Sequence, residues 1–218
     1  MADGREQEVW NHHATELVEL DGFNEKSITD SIKFKIDSPN IDVLDYGCGA
    51  ALYSPTFKDF NYYGYDQNLA MIEAAQVKLD EFGIKAKALY QYDWNNILID
   101  KQFDVVFSRA VIQHNLHPQK DQIVETIYSL IKPGGFYVCV ENTLEPEKNA
   151  FQFDDEYKFT DETSDGYSFT RVGWLKYFQK FNFTDETESC KFLWHPFKTN
   201  FYLLKKKHKE LICKLFTV

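Results

Sequence analysis

Five short apolar runs, at residues 41–46, 62–65, 86–92, 103–107 and 136–141, recur along the first two thirds of the chain, and the second and third close on Asp66 and Asp93. Between them, residues 69–82 place Met71, Ile72, Ala75, Leu79 and Phe82 at helical spacing, and residues 119–131 do the same with Ile123, Val124, Ile127, Leu130 and Ile131. Gly83 is a natural stop for the first helix, and Lys132-Pro133-Gly134-Gly135 forbids continuation of the second and turns the chain into the fifth run. Strands alternating with helices at this spacing predict a parallel sheet covered on both faces. The expected fold class is therefore α/β: a Rossmann-like, three-layer α/β/α sandwich. The C-terminal part breaks the rhythm, with a helix expected at 172–181 and strands at 187–194 and 199–205 joined by a few residues around Pro196. So short a connection predicts an antiparallel hairpin, which makes the sheet seven-stranded and mostly parallel.

A length of 218 residues fits one domain. Its expected parts are a helical cover at 1–36 with helical runs at 8–20 and 25–34, a ligand-binding half at 37–141, an acidic loop or lid at 142–171, and a helix with the hairpin at 172–218. Residues 141–165 hold nine acids against Lys148 and Lys158, and a loop that long is either solvated or functional. The longest stretch without a charged side chain, residues 46–57, is far below the roughly 20 needed to cross a bilayer. No signal-peptide core opens the chain, so a cytoplasmic protein with no membrane partner is expected. The four cysteines are dispersed and read as reduced thiols with no metal site. A net charge of -10 argues against nucleic acid and suits a cationic ligand. Aromatic residues make up 17% of the chain, but only Arg5, Arg109 and Arg171 are arginines among 24 basic residues. That pattern fits the codon bias of an AT-rich genome.

In an open parallel sheet, ligands bind beyond the carboxyl ends of the strands. The first strand runs into Asp45-Tyr46-Gly47-Cys48-Gly49-Ala50-Ala51, where Gly47 and Gly49 allow a sharp turn and close approach of a ligand. A dinucleotide fingerprint would need glycine at position 52, which is Leu52, so a nicotinamide cofactor is disfavoured. Asp66 can accept both hydroxyls of a ribose or serve as a helix N-terminal acid. Asp93 and Trp94 close the third strand, where an acid and an apolar wall suit an adenine.

Taken in order, D-Y-G-C-G-A-A, Y-G-Y-D-Q-N, Q-Y-D-W, F-D-V-V-F-S-R-A-V-I-Q-H-N and I-K-P-G-G-F resemble the motifs of class I S-adenosylmethionine-dependent methyltransferases. The resemblance spans about residues 40–141, and the closing hairpin is similar to that family's sixth and seventh strands. Two departures stand out: Ala51 replaces a frequent third glycine, and Pro55 falls in the usual first helix, which with Ser54 as N-cap would start late and be short. The resemblance implies that Asp45, Tyr46, Gly47, Cys48 and Gly49 line the methionine part of the cofactor. It implies further that Asp66, Gln67 and Met71 hold the ribose and adenine, Asp93 and Trp94 bind the adenine edge, and Ser108 and Arg109 lie beneath the sulfonium.

A methyl on a sulfonium is already activated, so transfer needs an in-line nucleophile and, for a hydroxyl, a base. His114 is the candidate catalytic base, with His117, His12 and His13 behind it. Trp10, His13, Tyr157, Tyr167 and Arg171 are candidate acceptor contacts. The chain has Phe107-Ser108-Arg109-Ala110 in place of the [DN]-P-P-[YF] used on amino groups of bases or glutamine, no Pro-Cys pair and no carboxylate closing the fourth strand. The expected acceptor is thus a small molecule, methylated on oxygen rather than nitrogen. A non-catalytic relative that binds the cofactor or a protein, and an oxidoreductase on the same scaffold, are the alternatives. The sequence leaves monomer or homodimer open.

Overall fold

A computed structural model describes residues 4–115, 118–142, 156–160, 165–169, 171–185 and 199–206. A sheet of seven strands forms the middle layer. Its members are β1 (Asp42–Tyr46), β2 (Asn61–Asp66), β3 (Ala88–Gln91), β4 (Phe103–Arg109), β5 (Ile131–Asn142), β8 (Phe183–Asp185) and β9 (Thr199–Lys206), in the order β3-β2-β1-β4-β5-β9-β8. The first five are parallel; β9 runs antiparallel to both β5 and β8. The strand order reverses between β1 and β4, where a crevice opens at the carboxyl ends. Among the described residues, no helix is long and apolar enough to cross a membrane.

Side-chain alternation along each strand sets the two faces. Leu44, Val106, Tyr137 and Cys139 point to one side, against Ile123, Val124 and Ile127 of α4 (Gln119–Leu130) and Trp174 and Phe178 of α5 (Arg171–Gln179). Val43, Val105, Phe107 and Val138 point to the other, against Ile28 and Ile32 of α2 (Lys26–Lys35) and Ala75 and Leu79 of α3 (Leu69–Phe82). Each such side chain, fully buried, contributes about 1.5–3 kcal/mol. A third, smaller cluster seats α1 (Gly4–Leu17) on the domain: Ala14 packs on Ala50, Leu52, Met71 and Ala74, flanked by Trp10 and Leu17. Buried Lys78 ties the same helices, its Nζ donating to the Val18 carbonyl at 3.2 Å and to Glu81 at 2.6 Å.

Several local expectations are corrected. The helix after the glycine turn shrinks to a single 3-10 turn, Ser54–Phe57, preceded by Tyr53; Ser54 is inside it, buried, and does not cap it. β5 begins at Ile131, directly after α4, and carries Lys132-Pro133-Gly134-Gly135 within its span. The register shifts there, between Phe103 and Val105 of β4. A Cβ on Gly135 would lie 2.7 Å from the Asp104 carbonyl oxygen, so the bulge requires glycine. The acidic segment holds two strands that its irregular pattern did not announce, β6 (Glu156–Thr160) and β7 (Asp165–Phe169), paired antiparallel. Of the expected closing hairpin, the strand at 187–194 lies outside the described residues; β8 pairs with β9 in its place.

Candidate active site

A cavity of about 470 Å³ opens at the carboxyl ends of β1, β2 and β4, with Trp10, His13 and Leu17 of α1 forming part of its wall. The turn after β1 is built on residues with positive φ: Gly47 at 71°, Gly49 at 51° and, unusually, Ala51 at 55°. The amides of Gly47 and Cys48 both donate to the Tyr65 carbonyl at 2.8 Å, which locks the turn to β2. Gly47 also has no room for a side chain, since its Cβ would lie 2.5 Å from Cγ2 of Val111. A Cβ on Gly49 would make only ordinary contacts, with Leu17 and Met71 at 3.9 Å.

Asp66 joins three elements. Its Oδ2 accepts from the Gly49 amide at 3.0 Å and its Oδ1 from the Asn68 amide at 2.9 Å. Asn68 caps α3, its side-chain oxygen accepting from Ala70 at 2.8 Å, while its Nδ2 donates to Asn11 of α1 at 3.0 Å. A carboxylate has about four acceptor positions, and the backbone donors Gly49, Asn68 and Gln67 do not take them all. Burial raises the Asp66 pKa, and the backbone donors oppose it. Asp45 accepts from the Tyr62 hydroxyl at 2.9 Å, and burial raises it to about 7, with the charge of Asp66 adding to the shift. The hydrogen bonds to both acids come from backbone N–H groups and a tyrosine, not from lysine or arginine. Burial also pushes the Cys48 thiol well above its ordinary value, so it stays protonated.

The cavity wall brings together Trp10, His13, Asp45, Tyr46, Gly47, Cys48, Gly49, Asp66, Gln67, Met71, Trp94, Arg109 and His114 from the expected set. Two of the expected cofactor residues are not in that wall. Ser108 is fully buried and bonds the Tyr137 hydroxyl at 2.7 Å, because strand alternation turns it to the face opposite Phe107 and Arg109. Asp93 is exposed beside the wall, and only its neighbour Trp94 reaches it. Arg109 does reach the wall, but its guanidinium lies 5.6 Å from both the Phe23 and Tyr53 ring centroids. His114 contacts Gln113 at 3.1 Å through Nε2, and its ring stands edge-on to Trp10 at 6.1 Å. His13 pairs with Glu16 at 2.9 Å; His12 is exposed and reaches the same acid at 3.4 Å. His117 lies outside the described residues. Tyr157, Tyr167 and Arg171 have a described backbone, in β6, β7 and at the start of α5, and β7 runs beside the turn that carries His114.

One residue important to the site was not expected. Glu141, fully buried at the end of β5, accepts the amides of Val111 at 3.2 Å and Ile112 at 3.1 Å through Oε1 and of Gln113 at 3.2 Å through Oε2. It therefore fixes the 3-10 turn Ile112–His114 and the Val111 side chain that faces Gly47. Burial raises it to about 7 against the three amides and the charge of Lys120. The only sequence signal is an acid closing an apolar run, as in β2.

This geometry offers acceptors for a diol, two unneutralised acids for a cation and an aromatic side wall, which together suit an adenosyl sulfonium. A family profile described as "Methyltransferase domain" matches residues 37–183. The chain is 28% identical over 141 residues to a carboxy-S-adenosyl-L-methionine synthase of Campylobacter curvus, covering 60% of this chain and 58% of that one. It is 25% identical over 136 residues to a protein of the same name from Campylobacter jejuni, covering 57% of this chain and 55% of that one. The chain thus spans less than two thirds of the length of these curated relatives. An S-adenosylmethionine-dependent methyltransferase from Clostridium acetobutylicum shares the fold with a TM-score of 0.63 at 15% identity, over 85% of this chain and 93% of that one. The glycopeptide N-methyltransferase MtfA, solved with S-adenosyl-L-homocysteine, does so with a TM-score of 0.62 at 12% identity, over 88% and 96%. With the profile running from before β1 into β8, the chain belongs to the methyltransferase-domain family, as a class I, Rossmann-like, S-adenosylmethionine-dependent member.

Proposed function

We propose that the protein transfers the methyl group of S-adenosylmethionine to an oxygen of a small-molecule acceptor. The observation that carries this reading is a pair of acids, buried Asp45 and half-buried Asp66, in a cavity wall that also presents the backbone of a glycine turn. When bound, the cofactor supplies a methyl already activated by a positive sulfur. Gly47 and Gly49 let the backbone approach its methionine part; Asp66 accepts the ribose hydroxyls; Gln67, Met71 and Trp94 enclose the adenine. In the transfer the acceptor oxygen forms a bond to the methyl carbon, the carbon–sulfur bond breaks with its electron pair going to sulfur, and the acceptor proton is lost. His114, which lines the same cavity, would take that proton.

Calorimetry with S-adenosylmethionine, S-adenosylhomocysteine and NAD tests the reading. Micromolar binding of both sulfur ligands and none of NAD is expected, with Asp66→Asn weakening the sulfur ligands at least about 10-fold, the scale of a lost charge-assisted bond. Binding of NAD alone contradicts it. A second reading rests on the two Campylobacter relatives, named as synthases of a carboxylated form of the same cofactor. Mass spectrometry of the nucleoside product separates it from methyl transfer.

A further inference from the structure

Arg109 is a misfit in a cavity that suits a cation. It is the sole lysine or arginine in the cavity wall among the described residues, and none of their ion pairs includes it. It does not neutralise the two acids: the Asp45 carboxyl responds to burial, Tyr62 and Asp66, and the Asp66 carboxyl to burial and backbone amides. Its guanidinium lies against Phe23 and Tyr53, whose own rings stack at 4.9 Å. Tyr53 feels that charge, since Arg109 opposes the rise that burial imposes on its hydroxyl.

The base of this side chain is also fixed. Arg109 is the last residue of β4, paired with Val140, and the next residue, Ala110, holds a φ of 54° with its amide donating to the Val140 carbonyl at 2.8 Å. A non-glycine residue in the left-handed region is strained, and its surroundings must enforce it. A guanidinium carries five N–H donors, so Arg109, beside the two rings and interacting with the Tyr53 hydroxyl, keeps others for a planar oxyanion. Placed beside a sulfonium, an uncompensated guanidinium repels the cofactor, and an incoming anion removes that repulsion. Arg109 is exposed while it lines the cavity, so its charge is open to a second ligand.

We propose that the methyl acceptor carries a carboxylate and that Arg109, steadied by Phe23 and Tyr53, binds it edge-on as the specificity-determining contact of the acceptor half of the cavity. The proposal rests on the methyl-transfer reading for its division of the cavity into cofactor and acceptor halves.

The test uses the full chain saturated with S-adenosylhomocysteine. Flat hydroxy acids are titrated beside their neutral amides, led by 4-hydroxybenzoate and 4-hydroxybenzamide, with Arg109→Met and Arg109→Lys run in parallel. The carboxylates are expected to bind at least about 10-fold tighter than the amides, the scale of a bidentate guanidinium–carboxylate pair. Arg109→Met should remove the difference, Arg109→Lys should restore part of it, and both should leave S-adenosylhomocysteine affinity within about twofold. No carboxylate preference in the native protein overturns the proposal. So does a 10-fold loss of S-adenosylhomocysteine affinity in Arg109→Met, which would assign the guanidinium to the cofactor's own carboxylate. If S-adenosylhomocysteine does not bind at all, the methyl-transfer reading fails separately, and the same titrations without it still decide whether Arg109 selects carboxylates.

Discussion

The two ends of one sheet treat their acids in opposite ways. Where the strands begin, Asp42 accepts from Lys101 at 2.9 Å and from Asn61 at 3.0 Å, and Lys132 bridges Asp104 at 2.9 Å and Asp42 at 3.7 Å. Burial would push Asp42 up, but those bonds and the two lysine charges outweigh it and hold its carboxyl below the ordinary value. Three residues along the same strand, Asp45 is raised to about 7 with only a tyrosine hydroxyl bonded to it. The starting end is electrostatically complete within the chain. The carboxyl end leaves Asp45 and Asp66 for a ligand to complete. A folded chain tolerates buried, raised carboxyls at a cost in stability, and here that cost falls where a cation is expected.

The sharpest way to break the contrast at the cavity is steric. Gly47→Ala combines positive φ with a 2.5 Å approach to Val111 and should destabilise the protein by about 2–4 kcal/mol, abolishing S-adenosylhomocysteine binding. Gly49→Ala, with φ strain alone, should lose only about 1–2 kcal/mol. Urea unfolding of both measures the difference; equal losses would remove Val111 from the account.

Next comes pH. Asp45 and Glu141 have folded pKa values raised to about 7 from 3.8 and 4.5. The folded state therefore binds more protons than the unfolded one between those limits. Their contribution is fully present below about pH 4 and is lost as pH rises through 7. Asp42, held low, works the other way and loses its contribution as pH falls below its ordinary value of 3.8. Ligand-free stability should thus decline between pH 5 and 8 by on the order of 2–4 kcal/mol, and Glu141→Gln should flatten part of that slope. An unchanged slope in Glu141→Gln would show that its carboxyl is ionised throughout.

The smallest effect lies at the satisfied end. Asp104→Asn breaks the Lys132 bridge and weakens the acceptor of the Asp42 amide, a change of about 1 kcal/mol for this half-buried pair. S-adenosylhomocysteine affinity should stay within about twofold, and a larger loss would show that the two ends are coupled.

Which features were legible follows the range of the interactions behind them. α3 was read to its exact bounds because apolar spacing, a local Asn68 cap and Gly83, at a φ of 65°, all lie within one short segment. The alternation of strands with helices and the glycine turn were likewise carried by local pattern, whereas the strand order β3-β2-β1-β4-β5-β9-β8 is set by long-range pairing. The start of β5 was not, because Gly135 is demanded by the Asp104 carbonyl, 31 positions earlier. Glu141 was missed for the same reason: its partners are the amides at 111–113, which no composition signal marks. Ser108 was within reach of the sequence, since alternation along β4 already turns it away from the side that Phe107 and Arg109 share.

The central claim is that the carboxyl end of the sheet is an anionic site completed by a cationic ligand. Calorimetry of S-adenosylmethionine binding near pH 6.5, repeated in buffers of different ionisation enthalpy, tests it most directly. A cation favours the ionised carboxyl, so binding should release protons, up to about one from Asp45, and affinity should fall as pH drops from 8 to 5.5. Binding that releases no protons, with equal affinity at both pH values and in Asp45→Asn, would contradict it.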